Sequence, residues 1–160
     1  MAATFLFEVH TPYRLFYSGP VEAIVLTLID GEAGVYAKHT AFTAPVVPCF
    51  LKIKDKDGKW KTAFTAEGIL EVKDHKTVLV SDAAEWPEEI DLVRARDARQ
   101  RAETDLSDGI FKFQEKTLTA SLKRANMRIK VAASSPALSG SESFPKRVGS
   151  EAAEEAEKKN

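Results

Sequence analysis

The stretch EWPEEIDLVRARDAR, Glu85 to Arg99, changes rhythm at its middle. Upstream of it, apolar residues alternate among aromatic and β-branched side chains. Downstream, they recur at helical steps among alanines and arginines. The stretch divides the chain into a strand-rich part and a helical part, and the fold follows from reading outward on each side.

Toward the N-terminus, TFLFEVHTP and RLFYSG read as short strands ended by turn residues. In VEAIVLTLID, Ile24, Leu26 and Leu28 share one face, with Val21, Ala23, Val25 and Thr27 on the other. Apolar character on both faces suits a strand inside a packed sheet. CFLKIKDKDGKWKTAFTA predicts a hairpin turning at Asp57-Gly58, with Lys52, Lys54, Lys59 and Lys61 on solvent-facing positions. GILEV and TVLVSD, joined by KDHK, predict another strand pair. Many short strands at this spacing mean an antiparallel β-sandwich or flattened barrel.

Toward the C-terminus, Asp91 reads as a first-turn acid, and Leu92, Ala95, Ala102 and Leu106 mark one helical face. Asp108-Gly109 stops that helix. A second helix follows, with Phe111, Leu118, Leu122, Ala125, Ile129 and Ala132 as its one narrow stripe. Together they predict an antiparallel helical hairpin, and its alanine-rich seam buries too little area to be firmly held alone. The expected organisation is α+β: a β-sandwich at 1–87, a helical hairpin at 88–133, and a tail at 134–160. The tail, rich in Ser, Pro, Gly, Ala and charge, is expected to be disordered.

A hydrophobic fraction of 44% and a formal net charge of −1 suit a globular chain and give no reason to expect nucleic acid as a partner. No secretory leader opens the chain, and no apolar run approaches the ~20 residues of a transmembrane helix. Cys49, the single cysteine, lies in the apolar run VVPCFLKI and reads as a buried structural thiol. Glu32 and His39 in DGEAGVYAKHTAFTAPVVP are too few ligands for a closed metal site, and the run reads as a glycine-shaped turn with an exposed polar face. No GxSxG elbow or phosphate loop of the GxxxxGK[ST] type occurs.

The helices carry a more specific pattern. With Gly109 as the fold-back point, Asp91 lies 18 residues before it and Arg128 19 after, while Arg94 and Arg124 each lie 15 away. The four stand at matching heights, roughly 22–28 Å from the turn at 1.5 Å per residue. Three arginines and an aspartate so placed could hold a polyphosphate with its base or ribose. They could equally be a salt-bridged, solvated helix surface in which Asp91 pairs with Arg94.

From about Phe5 to Ala132 the chain resembles the epsilon subunit of bacterial F-type ATP synthase. GEAGVYAKHTAF resembles that family's Gly-Glu turn, EGILEVKDHKTVLVSDAAE its strand pair, and IDLVRA and LKRANMRIKVA its two C-terminal helices. Ala37 and Ala41 stand where prolines are usual, Ala66-Glu67-Gly68 where Gly-Gly is common, and Trp86-Pro87 differs from many relatives.

The resemblance implies a non-catalytic rotor subunit, peripheral on the cytoplasmic face of the bacterial plasma membrane through its complex. Its sandwich would join the gamma subunit to the c-ring, with Glu32, Gly34 and His39 on the docking turn. Its hairpin would be a mobile arm that inhibits ATP hydrolysis by extending into the alpha/beta catalytic hexamer, with Lys123, Arg124, Arg128 and Lys130 on the inhibitory helix. No cofactor is required. ATP is implied as a regulatory ligand on Glu85, Asp91, Arg94, Arg124 and Arg128 of the folded arm. A free-standing cytosolic module that binds nucleotides through the arginine cluster is the alternative.

Overall fold

A computed structural model of the chain describes residues 3–108 and 114–135. The strand-rich part forms nine strands: β1 (Phe5–His10), β2 (Leu15–Leu28), β3 (Gly31–Tyr36), β4 (Phe42–Val46), β5 (Cys49–Asp55), β6 (Trp60–Thr65), β7 (Gly68–Val72), β8 (Lys76–Ser81) and β9 (Ala84–Glu85). One 3-10 turn at Pro87–Glu89 leads into α1 (Leu92–Ser107), and α2 (Glu115–Ala133) packs against it. The fold is the expected sandwich followed by helices. The expected turn at Gly109, with Phe111, and the tail from residue 136 lie outside the described residues.

The sandwich is organised around β2. RLFYSG and VEAIVLTLID, two runs on paper, form one strand of 14 residues. Its first half pairs with β1 and its second half with β3. At Pro20, where no backbone N–H is available, β1 is the neighbour and the β5 pairing has not yet begun. The register against β5 slips between Val21 and Ala23. That extra residue brings Val21 onto the inward face of Ile24 and Leu26, instead of the face alternation assigned it; all three are buried. Pairings β2–β4, β4–β7, β7–β8, β8–β1 and β1–β2 close a ring, the flattened barrel. One of them, β1 with β8, is parallel, where the strand pattern suggested antiparallel pairs throughout. Phe7, Ile24, Leu51, Ile53, Leu70 and Leu79 fill the interior.

The β5–β6 hairpin turns through Lys56-Asp57-Gly58, and among the three only Gly58 adopts a positive φ, of 75°. The Asp55 carboxylate accepts from the Asp57 and Lys59 N–H groups, which holds its pKa below the ordinary aspartate value. A three-residue connection changes the parity expected for the lysines. Lys52 and Lys54 face outward opposite Thr62 and Trp60, but Lys61 lies opposite inward-facing Ile53 and pairs with Asp55.

Backbone crowding limits one position sharply. A Cβ on Gly68 would stand 2.2 Å from the Val80 carbonyl oxygen and 2.9 Å from Ser81 Cα, because β7 meets β8 there with no room between them. Replacing Gly68 with Ala should therefore force β7 and β8 apart and lower stability by about 1–3 kcal/mol. A reduced urea midpoint with an unchanged slope is the expected result, and an unshifted midpoint would contradict the crowding.

Candidate functional site

The two-residue strand β9 sets up the platform on which the helices rest. Its pairing with β6 places Glu85 opposite Phe64 and Ala84 opposite Thr65. Alternation then sends Thr65 and Ala84 into the sandwich and leaves Phe64 and Glu85 side by side on the outside. Thr65 Oγ1 donates to Ser81 Oγ at 3.0 Å, and Ser81 Oγ lies 2.9 Å from the Ala83 carbonyl and 3.2 Å from that of Glu67. The Glu67 carbonyl also accepts from the Asp82 N–H at 3.1 Å. This buried hydroxyl network ties the turn bearing Glu67 to the segment bearing Glu85.

Helix α2 lies on that platform. Phe64, Ala66, Ile90, Val131 and Ala132 form a second buried cluster, separate from the barrel core, with Phe50 and Met127 packed around it. Arg128 spans the pair beneath it: its guanidinium carbon sits 4.5 Å from the Phe64 ring centre, and Nε and Nη2 donate to Glu85 Oε1 at 2.9 and 2.7 Å. One turn earlier, Arg124 Nη1 donates to Glu67 Oε1 at 2.9 Å and Nη2 to Ser121 Oγ at 3.0 Å. Thus α2 has two faces in use, not the single stripe its periodicity suggested. Ala125 is buried with Ala95 and Ala102 of α1, while Met127 and Val131 meet the sandwich.

A third tie crosses the connector. Arg14, after the β1 strand, donates through Nη2 to Glu89 Oε2 at 2.6 Å, and the same oxygen accepts from the Trp86 N–H at 2.9 Å. The Glu89 carboxylate raises the Arg14 pKa above its ordinary value. Trp86 stacks on Phe16 with ring centres 4.7 Å apart, and Arg14 lies over that Phe16 ring.

Between these ties lies a cleft of about 770 Å³, and Glu85, Asp91, Arg94, Arg124 and Arg128 all line it. The heights matched across the helices thus do meet in space. Asp91, however, is the N-cap of α1 rather than a first-turn acid: its Oδ1 accepts from the Arg94 backbone N–H at 3.0 Å, and no side-chain pair forms between the two. Arg124 and Arg128 take their carboxylates from the sandwich, at Glu67 and Glu85. A cleft with guanidinium groups, carboxylates and an aromatic edge suits a polar anion with hydroxyl or amine donors. Glu67, Glu89 and Arg14 escaped sequence reasoning because their partners lie 57 and 75 residues away.

The remaining candidates lie elsewhere. Glu32 and Gly34 sit within β3, opposite Thr27 and Val25, so DGEAGVYAKHTAF is a strand followed by a turn rather than one glycine-shaped turn. That turn uses Lys38 at φ 63°, not a glycine. His39 Nδ1 lies 2.9 Å from the Thr40 carbonyl oxygen, and Glu32 stands 3.9 Å from Lys52 Nζ. Lys123 and Lys130 point to solvent on α2. Cys49 is buried, and burial raises its thiol pKa. Among the described residues, no group of three His, Cys, Asp or Glu could hold a metal ion, and no helix is long and apolar enough to cross a membrane.

Residues 4–87 match the family model of the ATP synthase Delta/Epsilon chain beta-sandwich domain, and residues 88–133 that of its long alpha-helix domain. The ATP synthase epsilon chain of Caldanaerobacter subterraneus subsp. tengcongensis is 46% identical over 133 residues, 82% of this chain and 96% of that protein. That of Caldicellulosiruptor bescii is 46% identical over 130 residues, 81% and 94% of the two. Among solved structures, a chain of the Euglena gracilis mitochondrial ATP synthase OSCP/F1/c-ring assembly aligns with a TM-score of 0.70 at 21% identity, over 83% of this chain and 82% of that one. A chain of the Tetrahymena thermophila mitochondrial ATP synthase central stalk/c-ring aligns at 0.52 and 14%, over 82% and 98%. At these identities the solved structures speak to the fold alone.

The geometry around Phe64 makes Arg128 irreplaceable by lysine. An ammonium cannot both lie flat on the ring and donate twice to Glu85. Arg128→Lys should loosen the seat of α2 by about 1–2 kcal/mol, combining a cation–π contact with a partly buried ion pair. Amide exchange of α2 should accelerate while that of β2 stays unchanged; equal exchange in both proteins would show that the pair contributes nothing.

Proposed function

The chain belongs to the ATP synthase Delta/Epsilon family, and on that premise we propose that it is a non-catalytic rotor subunit of an F-type ATP synthase. In this reading the sandwich links the gamma subunit to the c-ring at the cytoplasmic face of a bacterial plasma membrane. The segment with Glu32, Gly34 and His39 forms its docking surface. The subunit holds no catalytic centre of its own and meets the membrane only through the complex.

Helices α1 and α2 are the regulatory arm. The observation that carries this is the nature of their seat: one small apolar cluster and a set of ion pairs, with alanines between the helices. Ion pairs that keep partial solvent contact contribute about 0–1 kcal/mol each, so the arm can leave without unfolding the barrel. Leaving frees Arg124 and Arg128, which then join Lys123 and Lys130 as one cationic helix. Extended beside gamma, that helix meets acidic surface in the alpha/beta hexamer and blocks hydrolysis. The seated arm binds ATP in the cleft, the phosphates on Arg94, Arg124 and Arg128, with Glu85 and Asp91 toward base or ribose. ATP thereby favours the seated, non-inhibitory state.

Two measurements test the reading. In the assembled enzyme, truncation after Pro87 should keep the subunit bound to gamma and raise ATP hydrolysis; unchanged hydrolysis would refute the inhibitory arm. Titrated with ATP, the isolated full chain should bind, and Arg124→Ala should weaken binding about 10–100-fold, the loss of a charge-assisted contact to phosphate. Equal affinity in the two proteins would remove the nucleotide from the cleft.

A further inference from the structure

We propose that Glu67 is an internal competitor for Arg124, occupying in the empty seated arm the guanidinium edge that a phosphate takes when ATP binds. This rests on the nucleotide reading above and concerns how that site is regulated. The starting point is charge. Arg14, Arg94, Arg124 and Arg128 line the cleft, and so do Glu85, Glu89 and Asp91. Glu67, reaching Arg124 from the sandwich, makes the carboxylates equal to the guanidinium groups. Of these four arginines only Arg94 has a side chain without a hydrogen bond or ion pair among the described residues; the others are held by Glu89, Glu67 and Glu85. A triphosphate therefore enters a neutral cleft, and one carboxylate must yield to make binding favourable.

The three lining carboxylates are each committed twice or to the backbone. Glu85 takes two donors from Arg128 above Phe64. Glu89 takes Arg14 and the Trp86 N–H. Asp91 caps α1. Glu67 makes one bond through Oε1, and its Oε2 is buried without a hydrogen-bond partner among the described residues. A carboxylate oxygen in that condition has surrendered water for nothing, so this pair is the weakest of the set. Its backbone is fixed independently, through the Glu67 carbonyl and the crowded Gly68, so the sandwich keeps its shape when the pair opens.

The test is calorimetric titration of the full chain with ATP, alongside amide exchange of α2 in the ligand-free protein. Glu67→Gln should tighten ATP binding roughly tenfold, which lies between the effects of removing a charge about 4 Å away with bulk-water screening and at an effective dielectric of about 20. It should also speed exchange in α2 when no ligand is present. Glu67→Gly, which removes the side chain altogether, should move both readouts in the same directions. If the wild type binds ATP and both folded variants bind it equally or more weakly, Glu67 positions Arg124 for the phosphate and the competitor role is overturned, while the nucleotide site stands. If neither the wild type nor the variants bind, the nucleotide reading fails and takes the competitor role with it.

Discussion

Arg128 lies over the Phe64 ring with two nitrogens on one oxygen of Glu85, and the placement of the helix-borne groups of the cleft depends on that seat. The geometry originates in the barrel, since Phe64 and Glu85 are cross-strand neighbours on its outer face. Arg124 follows from Arg128 by one helical turn, and Ala125 turns toward α1 from the same segment. The Asp91 cap and Arg94 then come to the opposite wall of the cleft because α1 packs on α2. A two-residue strand thus decides where an entire pair of helices rests.

The contrast between the two parts of the molecule is one of material. Inside the barrel, large side chains such as Phe7, Ile24 and Leu79 are fully buried, and each contributes on the order of 1.5–3 kcal/mol. Within the helices the buried residues are Ala95, Ala102, Ala125, Val131 and Ala132, smaller and fewer. The proposed departure of the helices from an intact barrel rests on this asymmetry. The clamp of Arg14 on Glu89 adds to it by holding the connector to the barrel.

Much of this was legible in the residues because helix and strand periods are regular. Ile24, Leu26 and Leu28 announced the barrel, and the spacing of Asp91, Arg94, Arg124 and Arg128 placed four side chains at one height. What stayed hidden was whatever depends on register between distant segments. The slip at Glu22 reassigns Val21 to the inner face, and the three-residue turn at Gly58 reverses Lys61; neither departure has a period. Glu67 drew notice only as part of Ala66-Glu67-Gly68, where Gly-Gly is common, because its guanidinium partner lies in the other half of the chain. The second face of α2 was missed for a related reason. Arg124 and Arg128 interrupt the apolar pattern around Met127 and Val131, and arginines facing a sandwich look from sequence like arginines facing water.

Phe64 is fully buried only while α2 covers it, and Phe50 and Ala66 share that cover. Lifting the helices wets an aromatic surface, so the transition carries a positive heat capacity and its balance becomes a function of temperature. Cooling weakens the apolar part of the seat, whereas warming lowers the cost of stripping water from the carboxylates and guanidinium groups. In the proposed movement of the helices, the outer face of β6 is therefore the source of a temperature dependence.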